Sequence, residues 1–231
     1  MLKLGTQDIS ALYLGETKIK RAYLGESLVF EGSKPSRLPE GYTEVEYINT
    51  AAGNAGLSFG LGTIQMNQDR IVVDITFHES KAFDLFGSTV KTGNNNNRIY
   101  CFAYRSSNAE QIVGRFGYST YATNYKASTP NEKRLVIDMD FKGNQLLIND
   151  VKITSWANAN VTSGTAKAPD TSYSCNVDLH EVLFYKNGVL RYDFVPCIRD
   201  SDGALGAYRL VSSPSFINLS TYTNLVAGPP V

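Results

Sequence analysis

Short runs of alternating or β-branched apolar residues, each closed by Gly or Asn, recur along most of this chain and point to strands. RIVVDITF spans 70–77, RIYCFAY 98–104 and RLVIDMDF 134–141, with shorter runs at 83–87, 111–118 and 145–148. A period of two suits a strand with one buried and one solvated face. Turn formers lie between the runs: Gly93 with Asn94 to Asn97, Lys142-Gly143-Asn144, and Asn187-Gly188. Asn187-Gly188, set between LFYK and VLRYDF, is the strongest signal, because a two-residue type I′ turn needs positive φ at both central positions. No window carries a sustained helical apolar period with caps. Strands this numerous predict an all-β sandwich or barrel.

Length and charge narrow the function classes. With 231 residues the chain can hold one large β-sandwich and a small extra module. Basic and acidic residues balance at 22 each, so no electrostatic footprint for nucleic acid is expected. The first residues, MLKLGTQDIS, lack an apolar signal-peptide core, and no stretch is apolar enough for a membrane helix. Synthesis in a cytoplasm, without membrane insertion, is the expectation. Cys101, Cys175 and Cys197 show neither CxxC spacing nor an even count, which predicts no disulfide framework and no metal site. No cofactor is expected.

The chain opens on an internal repeat. Leu4-Gly5, Leu14-Gly15 and Leu24-Gly25 fall ten residues apart, and the last two extend to Tyr-Leu-Gly-Glu. Short apolar runs joined at Gly-polar turns predict a small β-meander over 1–32. So few residues bury little surface alone, so this module should dock on other subunits or on copies of itself. GSKPSRLP, within 32–39, carries two prolines and two serines and reads as a linker over 33–39. The main domain then covers 40–231.

Segments at both ends of the chain resemble a known group of proteins. LYLGETKIKRAYLGESLVFEG, residues 12–32, is similar to the small N-terminal repeat module of bacteriophage tail-associated and other virion proteins. LPEGYTEVEYI, residues 38–48, resembles the entry segment of a concanavalin A-like (laminin-G-like) jelly roll in such proteins. FVPCIRDSDGALGAYRLV, residues 194–211, with Ala227-Gly228-Pro229, resembles that domain's closing segment. The resemblance implies a concanavalin A-like jelly-roll sandwich preceded by the β-meander. It also implies a non-enzymatic virion protein of the tail, baseplate or head surface. Its expected partners are other virion proteins, met through residues 1–32, copies of itself in the particle, and host-surface glycan. A carbohydrate-active enzyme on the same fold, a glycan depolymerase, is the alternative.

Candidate chemistry is sparse. Asp138 and Asp140 share one face of a strand, as catalytic carboxylates can, but Val136 and Lys142 stand where further acids would extend the pattern. Glu44 and Glu46 are spaced alike. His78 and His180 are the two histidines, and His180-Glu181 follows Asp178 closely enough to raise a metal, though at no established ligand spacing. Solvated faces and structural histidines are the plainer expectation. Tyrosine is the informative excess, with 14 residues against one Trp. Tyr118, Tyr121 and Tyr125 lie in GYSTYATNYKAS, a polar stretch with loop composition, and Trp156 lies in TSWANANVTSG. A ring with a polar handle suits sugar stacking or an interface. These four are the candidate ligand-binding residues.

Overall fold

The computed structural model describes residues 36–50, 68–79, 128–143, 145–153, 176–220, 222 and 224–231 with their side chains, and further strands by their backbone pairing. At the start of the chain, Lys3–Leu4 (β1) pairs with Gln7–Asp8 (β2), Leu12–Leu14 (β3) with Thr17–Ile19 (β4), and Arg21–Leu24 (β5) with Ser27–Glu31 (β6). Each pair is a separate two-stranded sheet. The continuous meander expected over 1–32 is therefore three hairpins among the described residues. The reason is where the repeat falls. Leu4 pairs with Gln7, Leu14 with Thr17 and Leu24 with Ser27, so each of these leucines ends a strand that pairs with the run just after it.

The remaining strands are Tyr42–Glu44 (β7), Ile48–Asn49 (β8), Thr63–Ile64 (β9), Arg70–Phe77 (β10), Phe83–Lys91 (β11) and Arg98–Ser106 (β12). Gln111–Tyr118 (β13), Thr123–Ser128 (β14), Arg134–Asp140 (β15), Gln145–Ile148 (β16), Val151–Ser155 (β17) and Gly164–Thr165 (β18) follow. Val177–Lys186 (β19), Val189–Arg199 (β20), Ala204–Arg209 (β21), Ser215–Asn218 (β22) and Val226–Ala227 (β23) complete the chain. Among the described residues there is no helix, and every strand pairing is antiparallel, so the fold is of the all-β class expected from the sequence.

One sheet holds eleven strands, along the path β17-β16-β15-β10-β19-β20-β21-β22, with β7, β8 and β23 attached at its side. A second sheet, β11-β12-β13-β14, lies in sequence between two neighbours of the first, β10 and β15. β9 pairs with β18, which runs beside β11.

The core follows from period-two alternation. Ile71, Val73, Ile75 and Phe77 point one way from β10 and are 2% exposed or less. Ile71 lies between Met139 and Phe184, Val73 between Ile137 and Val182, and Ile75 between Leu135 and Leu179. All six neighbours are buried, giving rows of three apolar side chains across adjacent strands. Burying each such side chain is worth roughly 1.5–3 kcal/mol. Tyr192 stacks between Phe184 and Phe194 at centroid distances of 5.7 and 5.5 Å and closes the core toward β20.

His180 is a β-bulge. Asp74 pairs with Glu181 but Ile75 pairs with Leu179, so His180 is the extra residue. In a regular strand Leu179 and Val182, three residues apart, would face opposite sides; the bulge lets both reach the core. The turns read from sequence are in place. Lys186 pairs with Val189, and Asn187 and Gly188 take φ of 51° and 77°, the type I′ signature. Asn149 and Asp150, at φ of 50° and 63°, make a second such turn that the sequence reading passed over. A Cβ at Gly143 would stand 2.1 Å from Asp140 Oδ2, so a larger residue there must displace the Asp140 carboxylate.

Past Val182 and Phe194, β19 and β20 part. Residues 42–49 fill the fork, with β7 on β20 and β8 on β19. The far end of the chain joins them: β23 pairs with β8, and the Val231 amide donates to the Glu44 carbonyl at 3.1 Å. The stretch expected as a free linker is anchored at its C-terminal part. The Arg37 amide donates to Glu44 Oε2 at 2.9 Å, and its guanidinium meets Glu44, Glu181 and Asp193.

Candidate functional site

Where β8, the end of β10, the start of β19 and β23 come together, they leave a polar cleft of about 300 Å³. Its lining is Tyr47, Asn49, His78, Asn176, Asp178, Val226 and Ala227. The strands hold its frame. The Thr50 amide donates to the Val177 carbonyl at 2.9 Å, and the His78 amide to the Asn176 carbonyl at 3.0 Å.

The side chains are held as firmly as the backbone. Asn49 Nδ2 donates to Asn176 Oδ1 at 2.9 Å and to Asp178 Oδ1 at 2.7 Å. The Asn176 amide donates to Glu79 Oε1 at 2.8 Å. His78 sits between two carboxylates, with Nε2 2.8 Å from Asp178 Oδ2 and Nδ1 2.8 Å from Glu132 Oε2. Burial pulls the imidazole pKa down, but the hydrogen bonds to Asp178 and Glu132 outweigh it, and the net shift is upward from 6.5. Both ring nitrogens face acceptors, which only the doubly protonated imidazolium satisfies. The two carboxylates lie on opposite sides of the ring and do not converge on one point. Among the described residues no three His, Cys, Asp or Glu form a metal-binding group.

His180 is different. Its Nδ1 donates to the Glu46 carbonyl at 2.9 Å, so the neutral ring carries its proton on Nδ1 and Nε2 accepts from the Thr76 hydroxyl at 3.1 Å. Burial, with Arg134 adding to it, pushes its pKa below 6.5. Asp178 therefore serves His78 rather than His180, its neighbour in sequence, because the bulge directs His180 toward Glu46 and Thr76.

The two histidines predict opposite pH effects. The proton held by folded His78 contributes stability below pH about 6.5, and this fades as pH rises through the raised folded pKa. His180 contributes stability above pH about 6.5 and loses it as pH falls toward its depressed folded pKa. Melting temperatures across pH should show the gap between wild type and His78→Gln closing as pH rises. The gap between wild type and His180→Gln should close as pH falls. Parallel profiles for the two variants would contradict these assignments.

The carboxylates that suggested acid chemistry are engaged elsewhere. Asp138, 3% exposed, receives two guanidinium nitrogens of Arg70: Nε at 2.9 and 3.0 Å, Nη2 at 2.6 Å. Burial pushes its carboxyl above the ordinary range, and Arg70 pulls it part of the way back. Arg70 lies 5.2 Å over the Tyr185 ring. Asp140 shares that face, as expected, but closes the 141–143 turn by accepting the Gly143 amide at 2.7 Å, and also binds Gln145 Nε2 at 3.1 Å. Glu44 is buried against Arg37, and Glu46 is exposed. Cys197 is buried, and burial raises its thiol to about 12, so it is inert.

The aromatic stretch is not one loop. Tyr118 closes β13 opposite Ile99, and Tyr125 lies within β14 opposite Gly114. Pairing to β13 and β12 overrides the Gly- and Ser-rich composition that suggested a loop. Tyr121 and Trp156 lie outside the described residues. Sequence reasoning singled out His78 and Asp178 but missed Tyr47, Asn49 and Asn176, which come together only through the β8–β19 pairing.

No family model matches the chain, and no curated protein matches it. Among solved structures, the galectin LEC-6 of Caenorhabditis elegans is similar over 63% of this chain and 96% of its own length. Its identity is 8% and its TM-score 0.34. A likeness that slight bears on neither the site nor its ligand.

Proposed function

We propose that this chain is a non-catalytic component of a bacteriophage particle, held there by its N-terminal hairpins and displaying the polar cleft to host-surface saccharide. The observation that carries the binding part is the cleft itself. Two amides, a carboxylate and an imidazolium, fixed by mutual hydrogen bonds, stand beside the Tyr47 ring in about 300 Å³. A concave site with a few oriented polar groups and an aromatic face suits a hydroxyl-rich ligand. The virion part rests on the resemblance of residues 12–32 and 38–48 to phage proteins. Against hydrolysis, Asp138 is occupied by Arg70 and Asp140 by a turn amide. Affinity per cleft is weak, and copies linked in the particle multiply it by roughly 10²–10⁴.

The full-length chain, multimerised on a bead, is expected to retain some members of a bacterial surface polysaccharide panel and to release no reducing ends. Asn49→Ala together with Tyr47→Ala should abolish retention. Release of reducing ends that vanishes in Asp138→Asn would overturn the non-catalytic reading. Retention that survives the cleft variant but disappears in Tyr121→Ala with Tyr125→Ala and Trp156→Ala would move the site to the aromatic stretch.

A further inference from the structure

The segment 36–40, just ahead of β7, buries little. Ser36, Arg37, Pro39 and Glu40 are exposed and Leu38 is half-buried. Its described bonds to the domain are those of Arg37. The amide donates to Glu44 Oε2 at 2.9 Å and Nε to Glu44 Oε1 at 3.3 Å, while Nη1 meets Glu181 Oε1 and stands 3.9 Å from Asp193 Oδ1. The three carboxylates come from three strands, β7, β19 and β20. Glu44 is 9% exposed and Asp193 17%, and Asp193 Oδ1 is buried without a hydrogen-bond partner. Burial, then Glu181, pushes the Asp193 carboxyl up, and Arg37 pulls it down. Behind the cluster, Arg134 pairs with Asp74 and feels Glu46 and Glu181. His180 turns away, to the Glu46 carbonyl and the Thr76 hydroxyl.

We propose that residues 36–40 form an acid-sensitive latch: Arg37 fastens them to Glu44, Glu181 and Asp193 near neutral pH, and protonation of that cluster frees them. Crowded carboxylates share a cation favourably only while they are charged, and each proton taken up removes part of what holds Arg37. With Arg37 swung into solvent, Asp193 loses the attraction that keeps its proton off. The open form therefore binds protons more readily than the closed one, and falling pH favours it. What changes on opening is reach. The Gly41 carbonyl keeps the Asp200 amide at 2.9 Å, so the first fastening moves from Arg37 to Gly41. β6 ends at Glu31, so the stretch before that fastening grows from 32–36 to 32–40, four residues more. At about 3.3–3.6 Å for each residue, the N-terminal hairpins gain roughly 13–14 Å of reach.

The test is backbone nitrogen relaxation by NMR on the full-length chain, from about pH 7 down to about pH 4. Order parameters of the Arg37 and Leu38 amides are expected near about 0.85 at the upper end and below about 0.6 at the lower, while the β10 amides stay rigid throughout. Arg37→Gln should leave the segment mobile at every pH. Asp193→Asn, which removes the titrating group but keeps its shape, should flatten the pH profile. Lys34→Gln, outside the described residues, and His180→Gln should each keep the wild-type profile. A segment that stays ordered down to about pH 4, or loosens only when the β10 amides do, would overturn the latch. So would an Arg37→Gln chain still ordered near pH 7, or a Lys34→Gln or His180→Gln chain that has lost the transition. An Asp193→Asn profile matching wild type would overturn the role given to Asp193 in the release.

Discussion

Removal of residues 1–35 is expected to leave a β-domain that unfolds cooperatively and, on the virion role we propose, no longer joins the particle. Residues 36–231 contain every buried core side chain described, and their two ends are tied to each other through β8–β23 and Val231–Glu44. The hairpins β1–β2, β3–β4 and β5–β6 are each two-stranded, and an isolated hairpin is marginal in water. Their free edges are suited to pairing with another subunit. Residues 1–35 fused to an unrelated carrier should therefore keep attachment. A shortened domain that still assembles would place the contact on the large sheet. One that melts without cooperativity would make the hairpins part of its core.

The same experiment has an internal control at Arg37. A shorter form, 40–231, loses Arg37, which meets Glu44, Glu181 and Asp193 together. Burial, with Glu181 next, already holds the Asp193 carboxyl above its ordinary range. With Arg37 gone, the Asp193 carboxyl loses the cation that opposes its upward shift, so the loss is largest at neutral and alkaline pH and fades as Asp193 protonates. Arg37 is 43% exposed, so solvent screening limits the cost to about 1–2 kcal/mol, or roughly 3–6 °C for a domain of this size. Calorimetry of 36–231 and 40–231 across pH reads this directly. Identical melting curves would show that the segment is a free linker.

Arg70→Ala is expected to destabilise the domain by about 3 kcal/mol. The variant leaves the Asp138 carboxylate, 3% exposed, without its bidentate partner in the middle of the sheet. Removing one member of a buried pair costs about 3–5 kcal/mol, and the half-exposed guanidinium places this case at the lower end. Asp138→Asn in the same background should recover most of the loss, because the stranded charge is then gone. Denaturant unfolding of the two single variants and the double variant closes the cycle. Additive losses would show that Arg70 acts through its stem and its Tyr185 contact rather than through the ion pair.

Much of the fold was legible because the relevant signals are local. Arg70–Phe77, Gln111–Tyr118 and Gln145–Ile148 carry their strand boundaries in composition, and Asn187-Gly188 carries its turn type. What depended on pairing across the chain was not legible. The bulge at His180 cannot be seen without the β10 register, so Asp178 and His180 look like partners in sequence when Asp178 belongs with His78, 100 residues away. The cleft needs residues 47–49, 78, 176–178 and 226–227 together, four segments joined by β8, which is two residues long and too short to carry a pattern. Arg37 was hidden by its proline- and serine-rich surroundings, whose composition speaks to flexibility and not to a half-exposed cation shared by three carboxylates.

The most direct measurement of the central claim is an amide NMR titration of the full-length chain with an oligosaccharide from a polysaccharide that the panel retains. The account predicts shifts centred on Tyr47, Asn49, His78, Asn176 and Asp178, with Val226 and Ala227 at their edge. Shifts centred on Tyr118, Tyr121, Tyr125 and Trp156, with the cleft amides unmoved, would contradict it.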